Sequence, residues 1–232
     1  MAIREGLVQY PSGGLNMHGF LARPACEAPA PGVLVIQEWW GLNDHIRNIA
    51  KRLAQAGYVA LAPDLYSRLG HPVAADAAEA AQLMQSLKEA DALKDVQASL
   101  TYLGALKEVD RTRLGVVGFC MGGSFALRIA VEGSPNLKAA VPFYGQVPPT
   151  EELRRLHCPV LYLYGGQDHW IKRSDVERLR EALQGAPSTS AVHIYEQAGH
   201  AFFNDTRPDA YDAPSARDAW QKTLAFLQAN FR

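Results

Sequence analysis

The sequence is short of the features that mark several whole classes of protein. Its 232 residues include three cysteines, Cys26, Cys120 and Cys158. An odd count at wide spacing, with no Cys-x-x-Cys pair, disfavours a disulfide framework and a zinc site. No His/Asp/Glu grouping has metal-ligand spacing, so no metal is expected. No glycine-rich loop matches a phosphate cradle or a dinucleotide fingerprint. An excess of one charge is also missing. The balance of 23 Lys and Arg against 24 Asp and Glu leaves a net charge of −1, without a basic block, which excludes nucleic acid as an expected partner. No apolar run approaches membrane-spanning length. The opening Met1-Ala2-Ile3-Arg4-Glu5-Gly6 lacks the apolar core of a secretion signal, so the expected compartment is the cytoplasm.

What remains is an ordinary globular composition, 48% hydrophobic and 20% charged, in a chain long enough to bury a sizeable core. There is no internal repeat and no linker, so one domain over residues 1–232 is expected. Residues 5–23 read as two strands about the turn Pro11-Ser12-Gly13-Gly14, followed by a proline- and alanine-rich connection over residues 24–31. Gly32-Val33-Leu34-Val35-Ile36 and Tyr58-Val59-Ala60-Leu61-Ala62 are unbroken apolar runs of the kind buried on both faces of a parallel sheet. Between them, Asn43 or Asp44 can cap a helix whose stripe is Ile46, Ile49, Ala50 and Leu53. Residues 67–90 read as a loop and then a helix from about Ala75, with a small cap segment as one reading. Further helices are expected over residues 91–107, 174–184 and 213–230, and further strands at residues 137–143, 159–164 and 191–195. Strands alternating with helices predict an α/β fold: a mostly parallel sheet with helices on both faces.

One stretch stands apart, Leu114-Gly115-Val116-Val117-Gly118-Phe119-Cys120-Met121-Gly122-Gly123. A β-branched run ends in a glycine, a cysteine follows, and two more glycines lead into a helix-compatible segment. Glycines on both sides relieve crowding in a sharp strand-to-helix turn with the cysteine at its tip. A helix starting there aims backbone N–H groups and a positive dipole end at the thiol, which favours thiolate. A buried structural cysteine is the bland alternative, and its partners decide between the two. Asp168 and His200 follow two later predicted strand ends. Ligands of open α/β sheets bind at the carboxyl ends of strands. Nucleophile, acid and histidine in that order is the order of α/β-hydrolases. Cys120 would attack a carbonyl carbon, His200 would take and return the proton, and Asp168 would fix the histidine tautomer. Taken singly, Asp168 could be a turn aspartate and His200 a loop histidine. His193 looks structural, and His157 and His169 merely flank turns. Ser124, one helical turn past Cys120, should point elsewhere. The oxyanion donors would be the backbone N–H of Met121 and one from the loop after the Val33–Ile36 strand, Trp39.

The chain resembles the dienelactone hydrolase (carboxymethylenebutenolidase) family of α/β-hydrolases. The resemblance rests on Gln37-Glu38-Trp39-Trp40-Gly41-Leu42, Ala62-Pro63-Asp64-Leu65-Tyr66, Gly118-Phe119-Cys120-Met121-Gly122-Gly123, Phe143-Tyr144-Gly145 and Gly199-His200-Ala201-Phe202-Phe203. It implies hydrolysis of a small-molecule ester or lactone, an anionic one among the options, through a thioester on Cys120 and without a cofactor. It also implies that Glu38 helps generate thiolate when an anionic substrate draws an arginine away from it. A solvated strand-end carboxylate is the alternative for Glu38. Two arginines hold the substrate carboxylate in this family. Arg207, seven residues past His200, and Arg68, beside a cap segment without Lys or Arg, are the candidates here. Trp40, Tyr144 and Phe203 would wall the pocket, although aromatics near strand ends are as often core. A broader carboxylesterase or thioesterase, and less readily a non-catalytic ligand-binding protein on the same fold, are the other readings. A monomer and a small homo-oligomer both remain open.

Overall fold

A computed structural model describes residues 1–26, 28–185 and 189–232. Residue 27, within the connection expected over 24–31, lies outside the described residues, as do 186–188. Among the described residues, eight strands form one sheet in the order β1-β2-β4-β3-β5-β6-β7-β8, mostly parallel, with helices between them. The strands are β1 (Ile3–Ser12), β2 (Leu15–Pro24), β3 (Ala30–Ile36), β4 (Val59–Pro63), β5 (Val109–Phe119), β6 (Leu137–Phe143), β7 (Leu161–Gly165) and β8 (Ala191–Tyr195). The helices are α1 (Asp44–Gln55), α2 (Ala77–Ser86), α3 (Glu89–Ala105), α4 (Met121–Glu132), α5 (Thr150–Leu153), α6 (Arg173–Leu183) and α7 (Ala213–Asn230). Among the described residues no helix is long and apolar enough to cross a membrane. The chain divides into two compact units, Met1–Gly115 and Val116–Arg232.

In the first unit, β1 and β2 make an antiparallel hairpin closed by Gly13 and Gly14, whose φ of 52° and 82° suits a tight turn. β2 pairs antiparallel with β4, and β4 parallel with β3. Helix α1 starts where the sequence predicts. The Asn43 side chain accepts from the Ile46 N–H at 3.2 Å, and Ile46, Ile49, Ala50 and Leu53 are buried. The 67–90 segment holds a short 3-10 turn over Ser67–Leu69 and helix α2, in which Ala80 is the buried residue.

In the second unit, β6 pairs parallel with β7 and β7 parallel with β8, so the loops after these strands leave the same sheet edge. The apolar floor beneath those loops is aromatic. Phe119, Phe143, Phe202 and Phe203 are buried, with ring centroids of Phe119 and Phe143 4.6 Å apart. Helix α5 has no counterpart in the sequence reading, because four residues are too few for a hydrophobic period to show.

Candidate active site

β5 ends at Phe119 and α4 begins at Met121, so Cys120 makes the turn alone, with φ 52° and ψ −115°. A residue with a Cβ is strained there and stays only where its surroundings over-determine it. Cys120 N–H donates to the Phe143 carbonyl at 3.1 Å, and the Cys120 carbonyl accepts from Ser124 N–H at 3.1 Å. The Ser124 hydroxyl also donates to that carbonyl, at 3.3 Å, and accepts from Gln146 N–H at 2.8 Å. Ser124 therefore clamps the turn to the loop after β6. The glycines of the motif exist because backbone passes backbone. A Cβ on Gly118 would sit 2.0 Å from the Gly122 carbonyl oxygen, one on Gly123 2.4 Å from that of Phe143, and one on Gly145 2.3 Å from the Gly123 backbone.

The loops after β7 and β8 are stitched together in the same way. Gly166 N–H donates to Tyr195 O at 2.8 Å and Gln167 N–H to Ala198 O at 2.9 Å. A Cβ on Gly165 would meet Gly199 O at 2.4 Å, so glycine permits the approach. This places Asp168 against His200. Asp168 Oδ1 accepts from the N–H groups of Trp170 at 2.7 Å and Ile171 at 3.0 Å, while Oδ2 lies 2.7 Å from His200 Nδ1. The turn role and the histidine-orienting role thus belong to different oxygens of one carboxylate, whose side chain is 0% exposed. The Cys120 thiol adjoins the same imidazole, near enough to act on its charge. Burial opposes an imidazolium there. The hydrogen bond to Asp168 and the adjoining Cys120, with their negative charge, outweigh it and raise His200 from 6.5 to about 10. Such a site can pass a proton from sulfur to imidazole and hold the resulting ion pair. Cys158 is the contrast, a buried thiol that burial alone pushes up to about 12.

Other expected site residues fall in different settings. Glu38 is 1% exposed, which removes the solvated-carboxylate alternative. Trp39 and Trp40 are half-buried and pack edge to face. The Trp39 carbonyl accepts from Tyr66 Oη at 2.8 Å and that of Trp40 from Ala74 N–H at 2.9 Å, tying their loop to the 66–74 segment. Arg68 needs correction. Its Nε and Nη2 donate to Asp95 at 2.8 and 2.7 Å, and Asp95, a wholly buried carboxylate, also accepts from Ser12 Oγ at 2.6 Å. The guanidinium fork expected for substrate is occupied by the protein itself. Tyr144 and Phe203 need it too. Both are buried, Tyr144 with its ring 5.0 Å from that of His200 and Phe203 stacked 5.3 Å from Phe119, so they support the site from beneath rather than wall it. Arg207 is partly exposed and pairs with Asp209. Trp170, unremarked in the sequence, stands 6.0 Å from the His200 ring. A tryptophan two residues past Asp168, in a polar turn, is the signal that could have found it. Among the described residues no His, Cys, Asp and Glu gather in a group able to hold a metal ion.

The chain matches the family model of the dienelactone hydrolase family over residues 17–231. It is 39% identical to an inferred carboxymethylenebutenolidase of Escherichia coli strain K12, over 98% of this chain and 88% of that one. It is 33% identical to an inferred 2-oxo-3-(5-oxofuran-2-ylidene)propanoate lactonase of Bradyrhizobium sp, over 93% and 90%. Among solved structures, an inferred dienelactone hydrolase from Klebsiella pneumoniae superposes with a TM-score of 0.90 at 36% identity, covering 98% of this chain and 99% of that one. A dienelactone hydrolase-like promiscuous phosphotriesterase from metagenomic libraries does so with 0.90 at 27% identity, covering both chains whole. A family match over nearly the whole length, on a mostly parallel eight-stranded sheet, places this chain in the dienelactone hydrolase family, as an α/β-hydrolase acting on esters or lactones.

Proposed function

We propose that hydrolysis runs through a covalent thioester on Cys120, with His200 as proton carrier and Asp168 as its orienting partner. The observation that carries this reading is the 2.7 Å contact of Asp168 Oδ2 with His200 Nδ1, on an imidazole that the Cys120 thiol also adjoins. His200 takes the thiol proton, and the sulfur attacks the carbonyl carbon. The oxyanion is received by the backbone N–H of Met121, at the head of α4. Collapse expels the alcohol oxygen, which takes the proton from His200. Water then gives a proton to His200 and attacks the thioester carbon, and as the C–S bond breaks the acid leaves and the sulfur takes the proton back from His200. In a lactone the leaving oxygen stays tethered, so one product emerges. No cofactor takes part. Arg207 is assigned to a substrate carboxylate, whose place at the guanidinium Asp209 now holds.

Cys120→Ala is expected to keep the fold and lose hydrolysis, and acid-quenched wild type is expected to carry the acyl group on the Cys120 peptide by mass. Retained turnover in that variant would end the cysteine reading. A specific observation favours a second reading, a carboxylesterase or thioesterase for neutral esters: the capture of Arg68 by Asp95 removes one of two expected carboxylate holders. Steady-state comparison of dienelactones with neutral lactones and aryl esters separates the two.

A further inference from the structure

Trp170 leaves 66% of its surface to solvent, although it is the largest side chain in its loop. Core packing does not account for an indole placed so far out. Its backbone does not demand one either. The Trp170 N–H holds Asp168 Oδ1 at 2.7 Å, a task open to any residue but proline. What the side chain does is stand beside His200, its ring centroid 6.0 Å from the imidazole and tilted by 38°. Tyr144 packs on the same imidazole at 5.0 Å, but it is wholly buried. Of these two rings, only the indole is open to an incoming molecule.

The chemistry decides which part of a substrate would meet it. Nδ1 of His200 is committed to Asp168, which leaves Nε2 to serve the reacting atoms. The sulfur bonds the acyl carbon, and the oxygen that receives the His200 proton belongs to the alcohol. The alcohol half therefore approaches the histidine, and the acyl half lies away from it. We infer that Trp170 is a specificity-determining residue for the alcohol half of the ester, docking flat, unsaturated or aromatic alcohol groups against the indole. A planar group gains from an offset or edge contact with the ring, whereas a short saturated chain covers little of it. The inference rests on the reading of His200 as the acid that releases the alcohol oxygen.

The test uses 1-naphthyl acetate and ethyl acetate, which share an acyl group and differ in the alcohol. Trp170→Ala is expected to lower kcat/KM for 1-naphthyl acetate by about tenfold, mostly through KM, and to cost ethyl acetate less than about threefold. Trp170→Phe should recover most of the loss. An equal fall on both esters, or a shifted pH profile with an unchanged preference, would overturn the inference, because either marks an indole that acts on His200. No fall on the naphthyl ester would overturn it as well. Binding of 1-naphthol, followed by its own fluorescence in the Cys120→Ala background, gives a readout that needs no turnover. Trp170→Ala should weaken it by about tenfold, and unaltered binding would count against docking. Turnover of 1-naphthyl acetate retained in Cys120→Ala, with naphthol still bound through Trp170, would sink the cysteine mechanism while leaving the docking site in place.

Discussion

At the scale of single residues, this site is built by contacts that only one residue type can make. Gly118 illustrates the point, since its missing Cβ leaves room for the Gly122 carbonyl at the start of α4. Gly118→Ala is expected to destabilise the protein by about 3 kcal/mol or more, because the clash is with backbone and cannot be relieved by a rotamer. Urea unfolding measures it, and an unchanged midpoint would refute the tight turn. His200 supplies the titration counterpart. Burial lowers its pKa, while Asp168 and Cys120 raise it by more. Removing both supports leaves burial alone. The double variant Asp168→Asn/Cys120→Ala should therefore drop His200 from about 10 to below the ordinary 6.5, read from the pH dependence of its ring resonances. A value that stays high would mean another negative charge governs the imidazole.

At the scale of elements, what could be read from the sequence followed from periodicity and caps. β6 at Leu137–Phe143, β8 at Ala191–Tyr195 and α7 at Ala213–Asn230 fall on the predicted bounds. Each is a clean apolar period between turn residues. Helix α1 was legible for the same reason, with Asn43 supplying its cap. Asn43→Ala should cost about 1 kcal/mol by thermal or urea unfolding, and an unaltered stability would show that Asp44 takes over the cap. The elbow was legible too, because its glycines mark a backbone crossing before any contact is known. What stayed hidden depends on tertiary partners. Nothing local tells that Arg68 turns to Asp95, 27 residues on, or that Phe203 goes under the site while Trp170 stays out. Aromatics at strand ends look alike in sequence, and only packing sorts support from surface.

At the scale of the molecule, the charge balance bears on which substrates are favoured. A net charge of −1 offers no long-range attraction to an anion, so any preference for anionic lactones has to come from a local cation. Arg68 is committed elsewhere, and its own role is structural. Arg68→Ala would strand the wholly buried Asp95 without its fork, at a cost of about 3 kcal/mol in unfolding free energy. Arg207 lies in the same unit as Cys120, Asp168 and His200, and its present partner, Asp209, is more than half exposed. An exposed pair of this kind is held weakly, so a substrate carboxylate can displace Asp209 at small expense. Arg207→Ala should therefore raise KM for an anionic lactone by about tenfold, with kcat little altered and neutral aryl esters affected far less. Asp209→Ala should do the reverse and lower that KM, because it removes a competitor for the guanidinium. Equal effects on charged and neutral substrates would take Arg207 out of the binding site. With Arg68 occupied, neither expected arginine would then be left to hold an anion, and the neutral-ester reading would prevail.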